Sequence, residues 1–465
     1  MTNGSTGPGE VSLARGLART ALAVDSRRFD AEVVDKAKIC LLDFLSCAFE
    51  ARNHPWSRQA VGIAREVASG ATVIGTRTLA SPGDAAFANA TMGHGLVRED
   101  MHAASICHHG VVIWPTLLAL SERTTLSGAT FLAAAIIGYE AGAQIGRALF
   151  TADLARLYRP TGLVAPLGAA LAGSYALGLR ESAATSAVAI AANTSSGLNE
   201  WPRAGGSEMY FHPGFAARNA IAAIELAEAG ARASETILEG EAGLFAAYRR
   251  QPAPANIHLF AGRQPEIMAV YNKPAPACNF AQTAAQTALR VARLLRTPDD
   301  IASVAIRVPE AAARYPGCDS RGPFHNALQA KMSIPFSVAA VLTRGALEEE
   351  NYAQVDDPGI LRLIERTDLQ SAPDLSAAFP ANQGAEVLVG LRDGKTVHQR
   401  LENVIAATPE EIRARFRQAA SDVIGDQFAR NLEELVDGCT SLPDSRVIAA
   451  RCRLEPAEQR LRPAS

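Results

Sequence analysis

No cysteine of this chain stands in a C-x-x-C pair. The seven present, at positions 40, 47, 107, 278, 318, 439 and 452, have no spacing that suggests a disulfide framework or a structural zinc site. Free thiols are expected. There is no G-x-G-x-x-G after a strand-like run, no G-x-x-x-x-G-K-[ST], no G-x-S-x-G elbow and no EF-hand loop. Dinucleotide, nucleoside-triphosphate and serine-hydrolase chemistry are therefore disfavoured. The 45 basic residues form no stripe; they are interspersed with 48 acidic ones, for a net charge of -3, so a nucleic-acid partner is not expected. Residues 1–10 are rich in Gly, Ser and Thr without the basic-then-apolar pattern of an export signal. They read as a flexible tail, and a cytoplasmic location follows. The most apolar long stretch, 162–179, is mostly Ala and Gly and contains Pro166. That suits a tightly packed internal helix better than a membrane span, and no membrane partner is expected.

What is present is ordinary globular material, 48% hydrophobic and 20% charged over 465 residues, enough for one large core or two. From position 12 to about 248 apolar residues recur at helical spacing, as in 31–49, 84–96, 127–150 and 166–179, with small residues dense enough to let helix axes approach closely. After about Pro265 the pattern changes. Segment 301–308 reads as a strand, and 386–391 with 396–401 reads as a hairpin across Arg392-Asp393-Gly394-Lys395, Asp-Gly being a strong turn signal. Helical stretches around 280–295 and 333–347 lie between them. Thr408-Pro409-Glu410-Glu411 opens a further helix with a cap, a proline at the first position and a capping-box carboxylate, running towards Val436. The expected fold is mainly α: an all-helical domain from 11–265 and 403–465, and a smaller α+β domain over 266–402.

Four of the nine histidines, His94, His102, His108 and His109, share one short window with Arg98, Glu99 and Asp100. Groups that titrate near neutrality rarely gather in so apolar a region, which makes this the best candidate site. Three readings remain open. A metal centre would favour H-x-x-x-H or H-E-x-x-H, and neither occurs. The histidines could instead cap helices and satisfy buried carbonyls. An acid/base pocket is the preferred reading. Arg156, Tyr158 and Arg159 precede Pro160-Thr161-Gly162, where a guanidinium could meet a carboxylate. Asn199 to Arg203 and His212-Pro213-Gly214 form another polar, turn-rich stretch. Lys273 and Cys278 lie in a proline-punctuated segment where the second domain begins, and interdomain clefts often hold small molecules. An isolated lysine is ordinarily a solvated charge, and a cysteine ordinarily a small buried hydrophobe.

In order and spacing these segments resemble the MmgE/PrpD family, whose members include 2-methylcitrate dehydratases, cis-aconitate decarboxylases and iminodisuccinate epimerase. The resemblance runs from Ala31 to Gly438. Asn89-Ala90-Thr91-Met92-Gly93-His94-Gly95-Leu96 is similar to the helix end of NGxxAHAxDFDDT, and His108-His109-Gly110 stands where the family has His-Pro-Gly. Gly138-Tyr139-Glu140 resembles GYE, Pro160-Thr161-Gly162 resembles HPTG, His212-Pro213-Gly214 resembles LHPG, and Lys273 to Cys278 resembles KPYPCC. The resemblance implies an all-helical domain built from both chain ends, a smaller α+β domain, a homodimer, and an active site between the domains without metal or organic cofactor. It also implies a lyase, dehydratase or decarboxylase, acting on a small di- or tricarboxylate. An epimerase using the same proton abstraction and a degenerate binding protein are the alternatives.

The family pattern breaks at Val97 and Met101, which replace the first aspartate and the threonine of DFDDT, and at Arg159, Met209 and Phe336, which replace a histidine, a lysine and a tyrosine. His108, Lys273 and Asp100 keep their places. A less polar or differently shaped substrate than methylcitrate is expected, with His108 as base or proton donor and Lys273 as its partner. Asp100 and His102 complete the catalytic candidates. Arg159 is the expected carboxylate anchor, and His94, Tyr158, Arg203, His212 and Cys278 are further substrate-binding candidates.

Overall fold

The computed structural model describes residues 11–454, so the expected tail at 1–10 lies outside the described residues. Two hydrophobic cores organise the chain. The larger collects the helices Ala31–Ala51, Pro82–Gly93, Gly110–Ser121, Gly128–Leu149, Pro160–Ala176, Glu181–Asn193 and His212–Glu228. Ile412, Phe416 and Val423 of the late helix Pro409–Ile424 and Leu432 and Val436 of Asp426–Asp437 join the same core. Pro409–Ile424 packs along Ala31–Ala51, so both chain ends contribute to one body. Among the described residues no helix is long and apolar enough to cross a membrane.

Local chemistry explains the helix boundaries. Ser81, Ser127 and Thr151 each accept a backbone N–H at a helix start, and Thr408 with Glu411 forms a full capping box. Pro166 is not a terminus: it lies inside Pro160–Ala176. The carbonyl that Pro166 leaves without a helical donor belongs to Gly162, and the Ser196 N–H fills it at 3.2 Å. The expected single helix towards Val436 is two helices, because Gly425 takes φ +89° between Ile424 and Asp426.

The second core sits on a four-stranded sheet in the order Thr367–Ser371, Ile301–Val308, Ala385–Leu391, Thr396–Leu401. The last three pair antiparallel as a meander, while Thr367–Ser371 lies parallel to Ile301–Val308. Helices Gln282–Ala292 and Ile334–Arg344 pack with this sheet. The fold is mainly α with a smaller α+β part. The helical body also carries two short antiparallel pairs, Glu66–Thr72 with Leu79–Ala80 and Met101–His102 with Val270–Tyr271.

That last pair positions the site. Met101 faces Tyr271 and His102 faces Val270; continued outward, the antiparallel register sets Glu99 opposite Lys273. A fully buried lysine, Lys331, ties the two cores together, donating to the Leu96 carbonyl at 3.1 Å and pairing with Glu349 at 2.7 Å.

Candidate active site

The histidine-rich window is a tight loop between two helices. His94 closes Pro82–Gly93, and Gly110–Ser121 begins just after His109. His102 and Cys107 exchange backbone hydrogen bonds at 3.0 and 3.3 Å and pinch the loop. Val97 at φ 58° and Ile106 at φ 51° hold left-handed conformations, which cost β-branched residues roughly 1–3 kcal/mol each and persist only where the surroundings impose them. Both line a cavity at the second core, to which Val97, Trp201, Met209 and Cys278 belong, together with Met101, His108 and Arg159. The cavity measures about 20 Å³, room for roughly one water.

Glu99 is the hub. His94 donates from Nδ1 to its Oε1, and His108 Nδ1 lies 2.8 Å from the same oxygen. His108 Nδ1 is also 3.0 Å from the Asp100 carbonyl. Both neighbours are acceptors, so the His108 proton belongs on Nδ1 and Nε2 keeps its lone pair. Burial would raise the Glu99 carboxyl, but the two imidazoles outweigh it and hold it well below the usual range. Burial pushes His108 down to about 3, against the pull of Glu99, and lowers His94 in the same way. At neutral pH the arrangement is an anionic carboxylate gripping two neutral imidazoles, one of which can take a proton at Nε2.

Cations flank this centre. An Arg159 NH2 group donates to His94 Nε2 at 3.0 Å, and Arg159 lines the cavity. Lys273 is fully buried and donates to the Ala277 carbonyl at 3.0 Å. Burial lowers its pKa while the charge of Glu99 supports it. Lys273 is not among the lining residues; it bears on His108 and His94 electrostatically. Four buried polar atoms here have no protein partner: Glu99 Oε2, Asp100 Oδ1, Arg159 Nε and His212 Nδ1. Buried groups left open in this way are where a ligand or ordered water makes its contacts.

The other candidates divide. Asp100 is buried and accepts from the Tyr139 hydroxyl, which receives the Trp114 N–H at 3.0 Å. Burial pushes its carboxyl up to about 7, opposed by that tyrosine bond. His102 turns away to Ser105 at 2.8 Å and Glu266 at 2.9 Å. His212 is half-buried near Arg159 and His94, and its desolvation takes it down to about 3. Tyr158 stands edge-on to Tyr248 with ring centroids 5.0 Å apart, outside the cavity lining. Arg203 is exposed. Cys278 lines the cavity, 3.8 Å from the Cys318 sulfur.

His94, Glu99 and His108 also bring one ligand-type atom each within 4.8 Å of one another. Two imidazoles and a carboxylate can bind a divalent metal. Here both Nδ1 atoms aim at a single carboxylate oxygen, Lys273 feels that carboxylate's charge, and Arg159 donates to the other nitrogen of His94, an arrangement that also reads as a hydrogen-bonded triad.

Three contributors went unread in the sequence. Glu99 looked like one charge in the run Arg98-Glu99-Asp100, yet it stands at the middle aspartate of DFDDT, a signal that could have found it. Tyr139, in the Gly138-Tyr139-Glu140 motif, holds Asp100. Thr161 of Pro160-Thr161-Gly162 accepts the His108 backbone N–H at 3.2 Å.

A helical body meeting a small α+β unit over a buried carboxylate–imidazole centre is the build of a two-part, mainly helical enzyme. The chain matches the MmgE/PrpD N-terminal domain over residues 15–256 and the MmgE/PrpD C-terminal domain over 275–440, and it belongs to the MmgE/PrpD family. It is 24% identical to the cis-aconitate decarboxylase of Aspergillus terreus over 447 residues, 89% of this chain and 90% of that one. It is 26% identical to the cis-aconitate decarboxylase of Mus musculus over 392 residues, 79% and 78% of the two chains. The mitochondrial 2-methylcitrate dehydratase of Yarrowia lipolytica is 32% identical over 167 residues, 34% of this chain and 31% of its own. Decarboxylases and dehydratases of this kind are lyases, and the chain is a lyase of the MmgE/PrpD type.

Proposed function

We propose that this lyase acts on a small dicarboxylate bearing an apolar portion, abstracting the proton next to a carboxylate without a metal or organic cofactor. One observation carries the reading: four of the five positions that depart from the family pattern, Val97, Met101, Arg159 and Met209, line the same cavity as His108. Three of the four are apolar, so the wall offers little hydrogen bonding, while the fourth supplies a planar guanidinium suited to one carboxylate. Arg159 can hold one carboxylate in the cavity and Lys273 adds positive charge behind its wall, which suits a dicarboxylate; a third carboxylate would meet Val97 and Met209 instead. His108 Nε2 is the base, and Glu99 keeps its tautomer and offsets the charge that forms on the ring. Asp100 and His102 support the loop rather than touch substrate.

An epimerase reading rests on the same base with Cys278, which lines the cavity, returning the proton from another side. Solvent deuterium entering the substrate without release of water or carbon dioxide would favour it. The seven cysteines are free thiols, which fits a reducing cytoplasm. A homodimer completes the proposal. Leu157 and Leu198, joined through the Asn199 N–H and the Leu157 carbonyl at 3.0 Å, stand 63% and 65% exposed as an adjacent apolar pair.

A panel of di- and tricarboxylates screened by thermal shift, then by product analysis, tests the reading. Turnover of a dicarboxylate should fall about 10²–10⁴-fold in His108→Asn, with a comparable loss in Lys273→Met and unchanged helical circular dichroism in both. Full activity in both variants would remove the assignment.

A further inference from the structure

Outside the proton-transfer residues, the cavity wall carries a second kind of chemistry. The sulfurs of Cys278 and Cys318 lie 3.8 Å apart, and both thiols are buried and free. Cys278 lines the cavity and Cys318 does not. Their backbones are fixed within one core. The Cys278 N–H donates to the Lys331 carbonyl at 2.9 Å, and the Cys318 carbonyl accepts from Ile334 at 3.0 Å. A disulfide needs its sulfurs at about 2.05 Å, so the two side chains must turn towards each other from the observed contact.

We infer that Cys278 and Cys318 are a peroxide-modifiable pair, closing to a reversible disulfide when a small hydroperoxide enters the cavity. The reaction balances as follows. The Cys278 thiolate attacks one peroxide oxygen; the S–O bond forms, the O–O bond breaks, and the departing hydroxide takes a proton to become water. The Cys318 sulfur then attacks the sulfenic sulfur of Cys278; the S–S bond forms, the S–O bond breaks, and a second water leaves with the Cys318 proton. Two electrons pass from the sulfurs to the peroxide. The cavity, about 20 Å³, admits an oxidant near the size of water and excludes a bulky disulfide. The hydrogen bond from Cys318 brings Cys278 down to about 7 against its burial, with the charges of Lys273 and Arg159 helping, so a thiolate is available at neutral pH. Cys278 lines the same cavity as His108, so closure alters the wall beside the base and should lower turnover. The pairing itself does not depend on the substrate.

Mass spectrometry tests it on the full chain. Hydrogen peroxide added to the native, reduced protein should remove about 2 Da and give one cross-linked peptide pair holding Cys278 and Cys318, reversed by dithiothreitol. Cys318→Ser should stop at oxygen added to Cys278, a gain of about 16 or 32 Da. Cys278→Ser should leave Cys318 a thiol. Circular dichroism checks the fold of both variants, and the wild-type peptide map decides the matter if either fails to fold. Oxygen stably added to Cys278 in wild type, pairing of other cysteines, or a chain that stays reduced would overturn the pair. The same disulfide formed equally well by glutathione disulfide would overturn its assignment to a small hydroperoxide.

Discussion

His108 carries its proton on Nδ1 because two acceptors face that nitrogen, and it stays neutral because burial outweighs Glu99. The same balance fixes how stability responds to acid. His108 and His212 drop to about 3 from 6.5, so between those values the unfolded chain binds protons that the native one does not. Stability is therefore lost as pH falls from 6.5 towards 3. Asp100, raised from 3.8 to about 7, opposes this: its contribution is full below 3.8 and is lost as pH rises through 7. Two histidines against one aspartate leave a net loss of stability as pH falls from roughly 6.5 towards 4; lowered His94 and His109 add in the same direction, while raised Asp43, Glu122 and Glu140 oppose it. Urea midpoints at pH 7, 6 and 5 should fall in step, with a shallower slope in His108→Asn. A flat profile would contradict the buried neutral imidazoles. The histidine cluster was visible in the sequence because composition alone marks it. Glu99 was not, since within Arg98-Glu99-Asp100 composition does not separate a hub carboxylate from a solvated charge and only its place in the DFDDT pattern marks it. Arg203 and Tyr158 shared a turn-rich sequence context with residues of the cavity wall, yet one is exposed and the other packs on Tyr248.

Between elements, small residues set how closely helices approach. A side-chain carbon on Gly168, in Pro160–Ala176, would strike the backbone oxygen of Gly138, in Gly128–Leu149. Nothing lies within 4 Å of such a carbon on Gly16, in Leu13–Leu22. Gly168→Ala should therefore cost about 1–3 kcal/mol despite alanine's better helix propensity, while Gly16→Ala should stabilise by about 0.5–1 kcal/mol. Thermal melts of the two variants check this, and equal shifts would refute the close-packing argument. Helix starts were readable from Ser127 and Thr408 because capping is local chemistry. The strand Ile301–Val308 and the hairpin beyond it were readable from alternation and Asp393-Gly394. Thr367–Ser371 is hidden in the sequence because it is short, mostly polar and paired in parallel with residues 63 positions earlier, Val304 with Thr367, a separation that no local pattern encodes. Gly425 divides what reads as one helix because its positive φ is set by the turn, and an isolated glycine inside an apolar period gives only a weak stop signal.

On the scale of the whole molecule, the site lies where the histidine-bearing loop and the segments carrying Arg159 and Met209 close on the second core. The Met101–His102 and Val270–Tyr271 pair aligns Glu99 with Lys273, and Lys331 holds the smaller unit against Leu96. A cavity of about 20 Å³ is smaller than a dicarboxylate, so the proposed substrate needs the cavity walls to move apart on binding. The exposed Leu157 and Leu198 pair should be covered by a second copy. Sedimentation velocity is expected to give twice the 49.0 kDa chain mass, shifted towards monomer by Leu157→Asp with Leu198→Asp, whereas a wild-type monomer at micromolar concentration would remove the dimer. The most direct measurement is a crystal structure of the wild-type chain with an unreactive saturated dicarboxylate. One carboxylate is expected on the Arg159 guanidinium, with the adjacent carbon about 3–3.5 Å from His108 Nε2. A ligand bound away from both residues, or His108 with Nε2 turned from the ligand, would contradict the account.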